Sequence, residues 1–333
     1  MNSFGHNLRV TIWGESHGVE IGASIDGIPA GIKLSIEDFE SDIARRKSGK
    51  RGTTPRLESD SPRIVSGLFN GYTTGAPLTI CFTNDSTRSK DYSDLVTHFR
   101  PSHADRTAAI KYSGYNDYRG GGHFSGRITL PLVAAGTVAK KILAKIYNPT
   151  ITSEIVEIKG SRDKSQFEQI VEQAIANKDS VGGVIECRAE GIPTGLGEPF
   201  FDSVESCIAH LLFSIPAIKG VEFGAGFDSA RMTGSENNDP IINSKGETST
   251  NNAGGINGGI TNSNPIVVRV AVKPTPSIAS EQQTFNSESQ SIEPLTIKGR
   301  HDAAIVLRAG VVVEAAVALA LADFALRSTS AKF

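Results

Sequence analysis

Apolar and polar positions recur along this chain with periods that name its elements. From Leu8 to Trp13 the β-branched, apolar run LRVTIW stops at Gly14, the profile of a short strand. Ile21 to Asp26 predicts a second strand, closed by the turn Gly27-Ile28-Pro29, so Gly14-Glu15-Ser16-His17-Gly18 is a loop between strands. Ser35 to Lys47 reads as a helix. Ser35 can cap it, Glu37 and Asp38 fall in its first turn, Ile36, Phe39 and Ile43 share a face, and Arg45 to Lys47 complement its dipole. Ala76 to Phe82 is a further strand, and Pro131 at the first helical position opens a helix to Ile146. Ser165-x-x-Glu168 and Asp202-x-x-Glu205 both have capping-box spacing, before a helix to Ala176 and before one carrying Val204, Ile208, Leu211 and Leu212. Val181 to Ala189 and Pro265 to Lys273 read as strands, and Asp302 stands as N-cap to an apolar helix from Ala303 to Leu326. Strand pairs followed by helices, more than once, predict an α+β layered fold with antiparallel sheets. No linker divides the 333 residues, so a single domain (1–333) is expected.

The last helix is long enough to cross a membrane. Arg308, Glu314 and Asp323 interrupt it, and each charge at the bilayer centre costs roughly 2.5–3.5 kcal/mol, so it is expected to be buried in a soluble protein. The N-terminus has no apolar signal-like region. Net charge is −2, which offers no general attraction to nucleic acid or to a membrane. Cys81, Cys187 and Cys207 are odd in number and widely spaced, which fits a reducing, cytoplasmic setting.

Chemistry concentrates between Arg100 and Arg127, RPSHADRTAAIKYSGYNDYRGGGHFSGR. Two histidines, Asp105, five cations and Gly120-Gly121-Gly122 suit an anion: arginine forks pair with phosphate or carboxylate, and glycines admit backbone N–H groups. Lys47 to Arg63 is also basic, either as a solvated face or as a cationic arm over an anionic ligand. Gly14 to Gly18 fits GxSxG, but a nucleophile elbow needs a strand before the serine and a helix after it, and here a strand follows. Zinc spacings are missing, so no metal is expected. Aromatic platforms for nucleic acid are missing from the basic run. Ser235 to Asn264 reads by composition as a mobile loop, in the wrong context for a dinucleotide fingerprint. His17, His103 and His301-Asp302 all lie in glycine- or arginine-rich loops, none on an apolar helical face.

In order along the chain stand GESHG (14–18), RPSHAD (100–105), YRGGGHFSGRIT (118–129), SIPAIKG (214–220), AGGINGG (253–259), KPTPS (273–277) and GRHD (299–302). This series resembles the chorismate synthase family over nearly the whole chain. The resemblance implies a β-α-β sandwich of antiparallel sheets with flanking helices, and a homotetramer. It implies the anti-1,4 elimination of phosphate and a C6 proton from 5-enolpyruvylshikimate 3-phosphate, with reduced FMN and no net redox change. By the same resemblance His103 would protonate the leaving phosphate, His17 would manage the protonation of the reduced flavin, and Asp302 would help pass the C6 proton by way of flavin N5. FMN would be held by His123, Phe124, Ser125, Pro216, Ala217, Gly258, Lys273, Pro274, Thr275, Pro276, Ser277 and Arg300. Arg46 and Arg51 match positions associated with NADPH or else with substrate, and Arg127 is assigned to substrate. Many members read RSSAR where this chain has His123-Phe124-Ser125-Gly126-Arg127, which replaces one cation and one hydroxyl. The chain is also short for the family, with trimmed loops expected.

Overall fold

The computed structural model describes residues 1–56, 58–85, 95–297, 299 and 301–330. In chain order the first part holds strands β1 (Ser3–Phe4), β2 (Arg9–Gly14) and β3 (Glu20–Asp26), helix α1 (Glu40–Arg46), then β4 (Arg63–Ser66), β5 (Leu68–Phe69), β6 (Tyr72–Thr73) and β7 (Leu78–Thr83). Helices α2 (Asp105–Lys111) and α3 (Thr129–Ile146) follow. The second part holds β8 (Thr150–Ile158), α4 (Phe167–Ala176), β9 (Gly183–Glu190), α5 (Val204–Ser214), β10 (Ile218–Phe223), α6 (Gly234–Asn237), β11 (Ile256–Asn257), β12 (Ile260–Thr261) and β13 (Ile266–Val272). The chain closes with β14 (Gln282–Asn286), β15 (Ser291–Leu295) and α7 (Val306–Ser330).

Two sheets, ordered β1-β2-β3-β7-β4 and β10-β13-β9-β8, form the outer layers, and every strand pair among the described residues is antiparallel. Between them lie α3, packed on β2, β3 and β7, and α7, packed on β8 and β9, face to face with each other. The sandwich implied by the resemblance is therefore sheet, helices, sheet. An interior position explains why α7 is apolar all round: 83% of its most apolar window is buried in the protein, the signature of a core helix. Gly136 sets the crossing of α3 and α7, since a Cβ there would lie 2.3 Å from Ala315 Cβ and 2.5 Å from its Cα.

Charges are buried in this apolar layer too, Glu314 and Asp323 of α7 among them. Glu314 of α7 is 1% exposed and receives the fork of Arg45 from α1 (2.7 and 2.5 Å), Lys140 from α3 (3.1 Å) and Ser153 from β8 (2.7 Å). Burial pushes its carboxyl up, but Arg45, Lys140 and Ser153 outweigh that and hold it below its usual value.

Three cap assignments need correction, and for Asp302 and Asp202 the reason is that a carboxylate takes charge-assisted bonds to arginine over a weaker cap where both are in reach. α7 starts at Val306, and Asp302 instead accepts from Arg308 (2.9 and 2.8 Å) and the Thr54 amide (3.0 Å). Asp202 pairs with Arg327 (3.0 Å) while Ser203 caps α5 through the Ser206 amide (3.0 Å). Asp163, not Ser165, caps the turn leading into α4. Pro131 sits within the first turn of α3, which opens two residues earlier. Residues 235–264, read as loop, are fastened from within. Asp239 accepts from Thr250 Oγ1 (2.6 Å) and from the amides of Asn252 and Ala253 (both 2.8 Å), and β11 and β12 form a hairpin.

Gly136→Ala should force α3 and α7 apart. Overpacking of this kind costs about 1–3 kcal/mol, so the thermal midpoint should fall by several degrees; an unchanged midpoint would show that the helices can separate freely.

Candidate active site

A cavity of about 780 Å³ opens where the end of α1, the loop before α2, the glycine turn before α3, the α5–β10 turn and the start of α7 converge. Among the described residues, eight Lys or Arg side chains line it against three carboxylates, so it favours an anion. Its other wall is apolar, with Phe4, Ile12, Leu132, Leu211, Ile215 and Leu319.

The glycine triplet shapes the centre. Its φ values are +60°, +82° and +53°, a region open to glycine at little cost. A Cβ on Gly120 would lie 2.5 Å from His17 Nε2, and one on Gly121 would lie 3.2 Å from His103 Cε1. The triplet thus lets two histidine loops close on one turn. Its amides are not all free for an anion, because Gly121 N donates to Tyr118 O. His103 lines the cavity, whereas His17 sits directly behind Gly120.

Electrostatics hold both histidines towards the neutral form. Burial, then Arg56 and Arg119, lower His17 to about 4. Burial also lowers His103, opposed by its bond to Asp105 (Nδ1 to Oδ1 2.5 Å) and reinforced by Arg100 and Lys273. Burial pushes Asp105 up, but Arg100 and His103 outweigh it and hold the carboxyl far below its usual range.

A second group is built on Asp60, which is buried with φ +52°. Arg127 Nη1 donates to it, and Arg46 Nη1 lies 3.6 Å away. Arg46 also donates to Thr129 Oγ1 (3.1 Å) and to the carbonyls of Gly126 (3.1 Å) and Arg127 (3.3 Å). Burial and Arg308 pull Arg46 down to about 9 against Asp60, so it stays cationic at neutral pH. Asp60 was visible in the sequence only as one acid in a basic run; its burial depends on Arg127, 67 residues away.

The third wall comes from two turns. Ala217 is held at φ +77°, beside a bulge between Ile218 and Gly220, with its carbonyl accepting from Lys273 N (2.9 Å). Such strain in a residue with a side chain is typical of functional walls. Burial and then Lys219 lower Lys273, whose Nζ donates to Ser102 O (2.7 Å). Thr275 Oγ1 is buried on this wall without a hydrogen-bond partner among the described residues. His123 Nδ1 lies 2.8 Å from the Gly14 carbonyl and so carries the hydrogen.

Of the residues singled out from the sequence, Arg46, His103, His123, Phe124, Ser125, Arg127, Pro216, Ala217, Lys273, Thr275, Pro276, Ser277 and Asp302 line this cavity. Pro274 is exposed beside it, Gly258 is exposed at the β11–β12 turn, and Arg51 points outward onto Glu172. None of these three is in the lining. Arg300 lies outside the described residues. The basic run divides: Lys47 and Arg56 reach the cavity, while Arg51 and Arg63 pair with surface carboxylates.

Residues 8–326 match the family model described as chorismate synthase. A chorismate synthase of Chitinophaga pinensis is 60% identical over 326 residues, covering 98% of this chain and 97% of that one. One from Korarchaeum cryptofilum is 44% identical, with the same coverage. A crystal structure of chorismate synthase superposes with a TM-score of 0.75 at 31% identity, over 98% of this chain and 93% of the other. The chain belongs to the chorismate synthase family. It is a carbon–oxygen lyase, acting at the last step of the shikimate pathway. Membership implies a reduced flavin and the substrate 5-enolpyruvylshikimate 3-phosphate. Alignment with a chorismate synthase of Dehalococcoides mccartyi runs to 353 positions, beyond this chain's 333 residues, so gaps fall here as trimmed loops would require. The cavity fits a flavin: an orphaned hydroxyl and cations lie on one wall, an apolar face on another.

Asn adopts positive φ as readily as Asp, so Asp60→Asn removes the charge alone. Loss of one partner of a buried pair costs about 3–5 kcal/mol, and a large drop in thermal midpoint is expected; a small one would mean that the two arginines are neutralised otherwise. A second outcome concerns acid. Unfolded chains protonate His17 near 6.5, whereas the folded protein resists to about 4, so stability should fall as pH drops through that window. His17→Gln should flatten that fall in a melting series.

Proposed function

We propose that this cavity carries out the elimination of phosphate and the C6 proton from 5-enolpyruvylshikimate 3-phosphate, with reduced FMN beside the substrate. The observation that carries the reading is His103, whose Nδ1 is engaged by Asp105, leaving Nε2 towards Gly121 in a cation-lined cavity. A phosphate dianion brought to this ring would raise its affinity for a proton, reversing the effect of burial. His103 then donates from Nε2 to the phosphate oxygen as the C3–O bond breaks. Asp302, fastened by Arg308 and the Thr54 amide, takes up the proton leaving C6. The electrons of the C6–H bond form a C1–C6 double bond while the ring's C1–C2 pair shifts to C2–C3 and the C3–O pair leaves with phosphate, so no net oxidation results.

Arg46, Arg127 and Arg308 would attract the substrate's carboxylates by their charge, their donors being held in place by Asp60 and Asp302 among others. Arg51, held at the surface by Glu172, does not join them. FMN would be held by Ser125, Pro216, Ala217, Lys273 and Thr275 to Ser277, with Thr275 Oγ1 gaining the partner it lacks and His123 and Phe124 at the rim. What FMN supplies when bound is electron density for the reacting ring, recovered afterwards. His17, behind Gly120, sets the charge next to it. NADPH is a candidate reductant for the flavin. Exposed Phe200, Phe201, Phe227 and Ile241 are consistent with self-association, the homotetramer resting on the family resemblance, and three buried, unpaired cysteines support a cytoplasmic setting.

The test is anaerobic: protein, chemically reduced FMN and 5-enolpyruvylshikimate 3-phosphate, with chorismate followed by its ultraviolet absorbance. Product is expected, and a folded, FMN-binding protein that makes none would sink the assignment. Oxidised FMN with NADPH in the same assay shows whether the protein reduces its own flavin. His103→Ala should lose about 10²–10⁴-fold in turnover while still binding FMN.

A further inference from the structure

We propose that Asp105 is a positioning residue for this reaction: its carboxylate fixes the imidazole of His103 so that Nε2 alone is presented to the leaving phosphate. The inference rests on the reading of His103 as the acid. At 2.5 Å between Nδ1 and Asp105 Oδ1 a hydrogen must lie between them, and a carboxylate oxygen can only accept it. Arg100 Nη2 is 3.0 Å from the same Nδ1 but 2.7 Å from Asp105 Oδ1. With Nδ1 already bearing hydrogen, that arginine donates to the carboxylate.

Asp105 is itself immobilised. Arg100 forks onto both of its oxygens (2.8 and 2.7 Å), and the Arg100 amide reaches Oδ2 at 3.2 Å. The arginine's remaining nitrogen, Nη1, donates to Ser277 Oγ at 3.0 Å. On the other side the ring meets Gly121, where a Cβ would lie 3.2 Å from Cε1. The imidazole is therefore clamped between a fixed carboxylate and a glycine backbone. Asp105 does not line the cavity, so it acts through His103 and not on substrate. Among the described residues, the charged groups facing His103 are Arg100 from its own loop, Asp105 from the start of α2 and Lys273 just after β13. Of these, Asp105 is the one that favours the protonated ring.

Asp105→Asn keeps the volume and an acceptor for Arg100 while deleting the charge. In the anaerobic assay kcat should fall about 10–100-fold, the range for loss of a residue that orients an active group, with KM for the substrate little changed. Protonated His103 becomes harder to form, so the alkaline limb of the kcat–pH profile should move to lower pH. In a His103→Ala background the substitution should cost nothing further. Wild-type kcat, or a loss with an unmoved profile that adds to His103→Ala, would overturn the proposal. If Asp105→Asn does not fold, Asp105→Glu decides: it keeps the charge but displaces the ring, so reduced kcat with the profile in place is expected, and undiminished kcat overturns it. Full turnover by His103→Ala would overturn the acid reading as well; an inactive His103→Ala beside an unaffected Asp105→Asn would remove the positioning role alone.

Discussion

The close crossing of α3 and α7 is the constraint from which the rest follows. Because Gly136 lacks a side chain, the two helices approach until backbone meets side chain, and each sheet can then pack on the outer flank of one helix. The glycine turn leads into α3, and Asp302 and Arg308 stand at the start of α7. Close packing of the two helices therefore also sets the distance between opposite walls of the cavity. Glu314 adds registry, since one carboxylate collects donors from α1, α3 and β8. Removing any one donor leaves the others to satisfy it, whereas removing Glu314 would leave Arg45 and Lys140 with Asp42 as their shared carboxylate.

Within this frame the cavity is specialised by its loops. One wall carries forks held by Asp60, a second carries the clamped His103, and a third carries the strained Ala217 and the orphaned Thr275 hydroxyl. Each wall comes from a different stretch of sequence, and each is braced by bonds between residues far apart in the chain.

That distance explains what the sequence could and could not reveal. The strands around Val10, Ile21, Ile80, Ile185 and Val268 were legible because short β-branched, apolar runs are local signals and the core enforces them. The family motifs were legible because the chemistry demands those residue types. Cap assignments at Asp202 and Asp302 misled because spacing alone cannot say which carboxylate has an arginine within reach after folding. Asp60 was hidden for the same reason. The stretch 235–264 looked mobile because composition cannot show that Asp239 gathers three donors from residues 250–253.

The two histidines flanking the glycine turn also change what binding means here. Their surroundings dispose both to give up their protons, yet on the proposed reading His103 holds one when phosphate departs. Affinity for the anion and affinity for the proton are then two sides of one equilibrium. On that reading the site favours charging its acid as it takes up the group that will consume the proton, and solvent acidity becomes in effect a second ligand.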